Sequence, residues 1–130
     1  MLGSANFGDV FVIADLEAGI GTLTRLDAQT VDVVVVVVEP TPRSIDVAQR
    51  AVELATGREQ GRLIVVANRV TGAADVERVA AGLPGCEIVA VPHDPAIMDA
   101  DRRGVSPLDS APDSPAVIAL VGLASRLVSS

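Results

Sequence analysis

Four short runs of consecutive apolar residues, rich in β-branched side chains, recur along the chain at residues 10–14, 31–38, 62–67 and 87–91. The second run is valine at every position except Asp32. Strands that are buried on both faces are apolar at successive positions, whereas half-buried strands alternate apolar and polar residues. The pattern therefore predicts four strands of a mainly parallel sheet.

Helical spacing occurs between these runs. Thr41 is a suitable N-cap with proline at the first helical position, and a helix is predicted from there to Gly57. Its apolar stripe consists of Ile45, Ala48, Val52 and Ala55.

Three more helices are predicted towards the C-terminus, over residues 73–81, 96–102 and 115–128. The last of them follows Ser114, a second N-cap candidate, and it is apolar around most of its circumference. We expect that helix to be heavily buried.

Strands that alternate with helices, joined by connections long enough for parallel pairing, define an α/β fold. We predict one three-layer domain over residues 1–130, with a sheet of about four strands and flanking helices. Ligands of such sheets bind beyond the carboxyl ends of the strands. The residues that follow the four strands are therefore the first candidates for function: Asp15, Glu39, Asn68 and Pro92.

Composition and charge narrow the possible chemistry. The chain has 130 residues, 49% of them hydrophobic, and a net charge of −7, which argues against binding nucleic acid. All ten basic residues are arginine, so no lysine can form a Schiff base or grip a phosphate. Cys86 and His93 are the only cysteine and histidine, which excludes an intrachain disulfide and makes a zinc site improbable. With no apolar run of membrane-spanning length, we expect a cytoplasmic protein without a membrane segment.

Asp15 closes the first predicted strand and opens the sequence D-L-E-A-G, which includes Glu17 and Gly19. An aspartate in this place can hold Mg²⁺ through a water molecule, and the glycine amide can approach a γ-phosphate. The alternative interpretation is an acidic residue that ends a strand in a glycine-rich turn.

Asn68 begins the sequence N-R-V-T after the third predicted strand. Its amide can pair with the N6 and N7 edge of a purine, whereas guanine selection needs a carboxylate at the fourth position, which is Thr71. The fragment therefore favours adenine, with an ordinary turn asparagine as the alternative. The segment from Pro92 to Pro95 predicts a stiff loop at the same edge, either a wall against the adenine ring or a proline-rich turn.

Taken in order, the segments F-V-I-A-D-L-E-A-G, D-V-V-V-V-V-V-E-P-T-P-R-S, L-I-V-V-A-N-R-V and V-A-V-P-H-D-P resemble the C-terminal part of the MinD/ParA-type deviant-Walker ATPases. Within that family they look like the CooC-like branch, which matures carbon monoxide dehydrogenase by assisting nickel insertion. The resemblance implies ATP and Mg²⁺ as cofactors. It assigns a catalytic segment and a nucleotide-binding set: the Walker B residue Asp15, which is also the residue near the metal, with Glu17 and Gly19 facing the γ-phosphate, and Asn68, Arg69, Pro92 and Asp94 around the base.

The sequence departs from that family at the phosphate site. It contains no G-x-x-x-x-G-K-[ST] segment and no lysine, so the phosphate-binding loop is missing. We expect a C-terminal half that binds adenine nucleotide and does not hydrolyse ATP by itself, with ATP and Mg²⁺ held only when a P-loop half completes the site.

The expected partners follow from the valine-rich strand, whose edge another chain would cover. They are a second copy in a homodimer or a separate N-terminal half. The resemblance to the CooC-like branch also implies a metalloenzyme client. The alternative function is a degenerate, non-catalytic module for protein interaction. A receiver-type signalling domain is disfavoured because such domains use a lysine beside the phosphoryl group.

Overall fold

The computed structural model describes residues 11–15, 32–56 and 62–128. Strands and helices alternate along most of this length. The strands are β1 (Val33–Val38), β2 (Arg62–Val70) and β3 (Glu87–Pro92). The helices are α1 (Pro42–Thr56), α2 (Ala73–Gly82), α3 (Pro95–Arg103), α4 (Pro107–Ser110) and α5 (Pro115–Val128).

The three strands form one parallel sheet in the order β1-β2-β3. Val33 lies opposite Arg62 at one end of the β1–β2 pair, and Val38 lies opposite Ala67 at the other. Because both connections carry a helix, successive strands return in the same direction. The parallel α/β prediction is confirmed.

A hydrophobic core lies on each face of the sheet. On one face α1 and α2 pack against alternate residues of the strands, including Val65 and Ala67 of β2, and this core contains the fully buried Val79. On the other face Ile64 and Val66 pack against α5 and against Ile97 of α3. Helices on both sides of the sheet give the predicted three layers.

The prediction of a first strand over residues 10–14 is wrong for its described part. Residues 11–15 belong to no strand, and Ile13 is 92% exposed. The described part of the chain therefore has three strands rather than about four. An apolar run becomes a strand only where a neighbour pairs with its backbone N–H and C=O groups. Among the described residues, none pairs with this run. Val10 and Val31, at the starts of two predicted strands, lie outside the described residues.

The predicted start and stripe of α1 are confirmed. The Thr41 hydroxyl accepts the backbone N–H of Ser44 at 3.3 Å, as an N-cap should. The predicted apolar stripe of α1 packs towards α2 and the sheet.

The expectation that α5 is heavily buried is wrong. Only Ala116 and Val117 of this helix are buried, while Ile118 is 60% exposed. The helix has the sheet on one side and no described element on the other, so its apolar circumference exceeds the surface available to cover it. None of the helices in the described residues is both long and apolar enough to cross a lipid bilayer.

Candidate functional site

The carboxyl ends of the three strands lie at one edge of the sheet. The prediction that Asn68 and Pro92 follow their strands is wrong, because β2 extends to Val70 and β3 to Pro92, so both residues lie within the strand ends. Val38 lies opposite Ala67, so Glu39 follows β1 at the level of Asn68. Asn68 in turn lies opposite Val91, and Val70 lies opposite Pro92. Glu39, Asn68 and Pro92 therefore stand on three adjacent parallel strands at one edge, which we call the carboxyl edge.

Arg69 interrupts the regular pairing at this edge. Its backbone φ is 60°, in the left-handed region, and the register between β2 and β3 shifts between Asn68 and Val70. A bulge of this kind leaves one residue outside the ladder and redirects its side chain. The Arg69 guanidinium crosses towards β1 and donates a hydrogen bond from Nη1 to Glu39 Oε1 at 3.2 Å.

Asp94 joins the starts of two helices. One carboxylate oxygen accepts the backbone N–H of Ala96 at 3.0 Å at the start of α3. The other accepts the N–H of Ala116 at 3.0 Å at the start of α5. These two bonds favour the charged form, first that from Ala116 and then that from Ala96, so the pKa of Asp94 lies below its usual range.

This arrangement changes the predicted cap of α5. The hydroxyl oxygen of Ser114 is buried and takes neither of these N–H groups. A carboxylate 22 residues away in sequence replaces the local serine as the acceptor for Ala116. Local spacing shows where the helix starts, but it does not reveal a cap contributed by a distant loop.

Thr71, three residues after Asn68, is hydrogen-bonded to Asp75 at the start of α2. One oxygen of Asp75 accepts both the N–H of Thr71 at 2.9 Å and its hydroxyl at 2.8 Å, and the other accepts Arg78 Nη1 at 2.8 Å. The hydrogen bonds from Thr71, followed by the smaller effect of Arg78, lower the pKa of Asp75. The Asp75 carboxylate is thus engaged within its own turn and helix.

Of the remaining predicted site residues, only Asp15 lies in the described part of the chain. It is exposed and belongs to no strand, so its predicted position at a strand end is not observed. Glu17 and Gly19 lie outside the described residues. Among residues 11–15, 32–56 and 62–128, no group of three or more His, Cys, Asp and Glu side chains could hold a metal ion.

A second ionic cluster lies at the opposite edge of the sheet, where the strands begin. Arg62 donates to both oxygens of Glu87, at 3.1 and 2.8 Å, and to the carbonyl of Arg126 at 3.2 Å. The hydrogen bond between them lowers the pKa of Glu87 and raises that of Arg62. A shifted pKa often marks a functional site, but here the bidentate pair ties β2, β3 and α5 together, which is a structural role.

Comparisons with known proteins identify relatives of this chain. The chain is 31% identical over 102 residues to the carbon monoxide dehydrogenase accessory protein CooC of Rhodospirillum rubrum, covering 78% of this chain and 39% of that protein. It is 40% identical over 62 residues to an uncharacterized ATP-binding protein of Methanocaldococcus jannaschii, covering 48% of this chain and 24% of that protein. The cell division protein MinD of Aquifex aeolicus has a similar structure, with a TM-score of 0.65 and 25% identity. The chain is related to the MinD/ParA-like P-loop ATPases.

This relation confirms the family resemblance of the sequence and its α/β fold. No family model matches the sequence. The region matched to MinD is 85% of this chain but 48% of the MinD chain. The regions matched to the other two relatives are less than two fifths of the length of each. The chain therefore matches only part of the length of its MinD/CooC-like relatives, one of which is named as an ATP-binding protein.

The sequence predicts Asn68, Arg69, Pro92 and Asp94 as a nucleotide-binding set, but it does not show what Arg69 and Asp94 contact. Neither the pairing of Arg69 with Glu39 nor the double cap by Asp94 has a local signal. The first depends on the register between β1 and β2, and the second on the docking of α5. Glu39 was recognised as a residue that follows a strand, and the register makes it a neighbour of the predicted nucleotide-binding pair.

Proposed function

We propose that this chain is the base-binding, C-terminal portion of a MinD/CooC-like ATPase, and that it binds adenine nucleotide at the carboxyl edge. The observation that supports this most strongly is the placement of Asn68 and Pro92 on adjacent parallel strands at that edge. An asparagine amide offers a donor and an acceptor to the N6 and N7 edge of adenine. Pro92 supplies a rigid apolar surface beside it, and Arg69 completes the nucleotide-binding set.

The role of Asp94 in this proposal is positional. Both of its oxygens already accept backbone N–H groups of helices, so its side chain holds the loop after Pro92 in place rather than contacting the base. This interpretation keeps Asp94 within the predicted set and changes what it does there. The segment that follows β3 is fixed by two helix starts.

The 130 residues should not hydrolyse ATP by themselves. Phosphoryl transfer depends on charge neutralisation around the β- and γ-phosphates, and the sequence has neither a glycine-rich phosphate loop nor a lysine. We propose that Asp15 holds Mg²⁺, and that Glu17 and Gly19 face the γ-phosphate, when a P-loop half is present.

The wider role is proposed by similarity to the accessory protein CooC, whose name associates it with carbon monoxide dehydrogenase. It is a cytoplasmic ATPase function in metal-centre maturation, with a metalloenzyme as client. The P-loop half would come from a separate N-terminal chain, whereas a second copy in a homodimer would cover the valine edge of β1.

Nucleotide binding can be measured directly on the full chain by isothermal titration calorimetry. The ligands are ADP, ATP with Mg²⁺, adenosine and GDP. We expect weak binding of the adenine compounds, no detectable binding of GDP, and no release of phosphate from ATP. Replacement of Asn68 by alanine should weaken adenosine binding about fivefold to tenfold, because the amide hydrogen bonds to the base are lost. Glu77→Gln, an exposed change on α2, is the control.

Equal adenosine affinities for the wild-type chain and Asn68→Ala would contradict the assignment of Asn68. The nucleotide-binding function itself would be contradicted if the chain bound none of the four compounds. The same result must hold after a MinD-type P-loop half has been added.

A second candidate function is a non-catalytic module for protein interaction. It is favoured by the outer side of α5, where Ile118, Val121 and Val128 are each about half exposed or more. Contiguous apolar surface of this kind is typical of interaction sites. The calorimetry separates the two functions, since the module predicts no heat from any nucleotide.

A further inference from the structure

The ion pair between Arg69 and Glu39 spans the carboxyl ends of β1 and β2. Arg69 Nη1 lies 3.2 Å from Glu39 Oε1, and both side chains are about half exposed. The pair is therefore accessible to a ligand in solution. Unlike Asp75 and Asp94, whose oxygens accept backbone N–H groups, the Glu39 carboxylate accepts only this guanidinium within the described residues.

The backbone on both sides fixes where this pair lies. Arg69 has the left-handed φ of 60°, an uncommon conformation for a residue with a side chain, and such residues concentrate at ligand sites. Glu39 is held from its own side, since its N–H donates to Ser44 Oγ at 2.9 Å and its carbonyl accepts the N–H of Thr41 at 2.8 Å. The guanidinium thus lies at the end of β1, where it meets Glu39.

This position has a chemical consequence for a nucleotide whose base lies between Asn68 and Pro92. The base occupies the ends of β2 and β3, so its ribose and phosphates extend from there across the edge. On the β1 side they meet the Arg69 guanidinium, whose planar set of donors matches phosphate oxygens. In the structure that place on Arg69 is taken by the Glu39 carboxylate, which presents the same kind of oxygens.

We propose that Arg69 binds the phosphate chain of the nucleotide and that Glu39 competes with the phosphates for it. The inference rests on the proposed adenine-nucleotide site and adds a residue, Glu39, that lowers the affinity for phosphate. Glu39 is a positioning residue here: it holds the arginine at the edge and gives it up when an anion arrives. An exposed ion pair is weak enough to be exchanged in this way.

The test compares ADP with adenosine by isothermal titration calorimetry on the full chain. Glu39→Gln frees the arginine, and we expect it to tighten ADP binding about twofold to fivefold. Arg69→Gln removes the cation and should weaken ADP binding about fivefold to tenfold, while Arg69→Lys restores part of the loss. The double variant Glu39→Gln/Arg69→Gln should bind ADP as Arg69→Gln alone does, because the arginine for which Glu39 competes is absent. Adenosine, which has no phosphate, should bind Glu39→Gln as it binds the wild-type chain, and the Arg69 variants should weaken adenosine binding less than ADP binding.

The control is Arg43→Gln, which changes the charge as Arg69→Gln does. Arg43 is an exposed arginine in the first turn of α1. The ADP affinity of this variant should equal that of the wild-type chain, and equal melting temperatures establish that all variants are folded. If ADP and adenosine bind but no variant changes the ADP affinity, the competition is contradicted and the nucleotide site stands. If Glu39→Gln shifts adenosine as much as ADP, its effect is structural and the proposal is also wrong. If the wild-type chain binds neither compound, the proposed function fails together with the inference.

Discussion

Single residues at the carboxyl edge show how a side chain can serve the site without contacting a ligand. Asp94 was predicted as a neighbour of the base, and both of its oxygens are instead hydrogen-bonded to helix N-termini. The N-terminus of a helix carries partial positive charge, so two of them stabilise the carboxylate strongly. Asp94 therefore fixes the segment after Pro92 by connecting α3 with α5.

Replacement of Asp94 by alanine should lower the melting temperature at pH 7 on the order of 5 °C, because two helix starts lose their acceptor. The effect should depend on pH. The pKa of Asp94 is lowered in the folded chain, so its contribution is present above the pKa of the unfolded chain, about 4. It is lost as the pH falls through the lower, folded value.

The measurement is thermal unfolding, followed by circular dichroism, between pH 2 and pH 7. The difference between the wild-type chain and Asp94→Ala should shrink towards acid. Asp99→Ala removes an exposed carboxylate of α3 that pairs with Arg103, and it serves as the control. A difference between wild type and Asp94→Ala that is constant over the whole range would contradict the role of the Asp94 charge.

At the scale of elements, the helix and strand positions followed from hydrophobic spacing and caps, whereas burial did not. The three strands and α1, α2, α3 and α5 lie close to their predicted ranges. The pattern of α5 predicted burial on most sides, and the fold covers only one. Spacing shows that a helix is apolar, but only the number of neighbouring layers shows how much of it is buried. The four-residue helix α4 gave no apolar period and was not predicted.

Two helical glycines provide a matched test of this packing. A Cβ added at Gly82, the last residue of α2, would collide with Ile45 of α1, whereas one added at Gly122 in α5 meets open space. Gly82→Ala should destabilise the protein by about 1–3 kcal/mol. Gly122→Ala should stabilise it by about 0.5–1 kcal/mol, since alanine lowers the entropy of the unfolded chain.

Urea unfolding of both variants, followed by circular dichroism, gives these free energies. A Gly82→Ala chain as stable as wild type would show that the contact between α1 and α2 is looser than described. Destabilisation by Gly122→Ala would show that the outer side of α5 is covered in solution.

At the scale of the whole molecule, the sheet ends on β1 within the described residues. Val35 and Val37 alternate with the buried Val38 and lie on the face that α5 covers further along the sheet, and Val37 is 62% exposed. The sequence predicted a valine edge that needs a partner, together with a strand at residues 10–14 that the structure does not pair. It could not predict which strand covers that edge, because six identical residues pair equally well with many sequences.

We expect an uncovered apolar edge strand to cause association in solution. A positive charge on β1 should reduce it, so Val37→Arg should sediment as a smaller species than the wild-type chain in analytical ultracentrifugation. Val47→Arg, which replaces an exposed valine of α1, is the control and should sediment as wild type does. Identical sedimentation of wild type and Val37→Arg would contradict association through this strand.

The uniform sequence of β1 also affects the geometry of the carboxyl edge. A strand that slid by two residues along β2 would present the same valines to the same neighbours, so its interior says nothing about alignment. Alignment must come from its two ends, where Arg62 N donates to the Asp32 carbonyl at 3.0 Å and where Glu39 meets Arg69. The pair that we propose a nucleotide opens is thus one of two contacts that mark the alignment of β1 on β2. A ligand that opens it removes the contact between the strands at that end, while the bonds from Glu39 to Ser44 and Thr41 still tie β1 to α1.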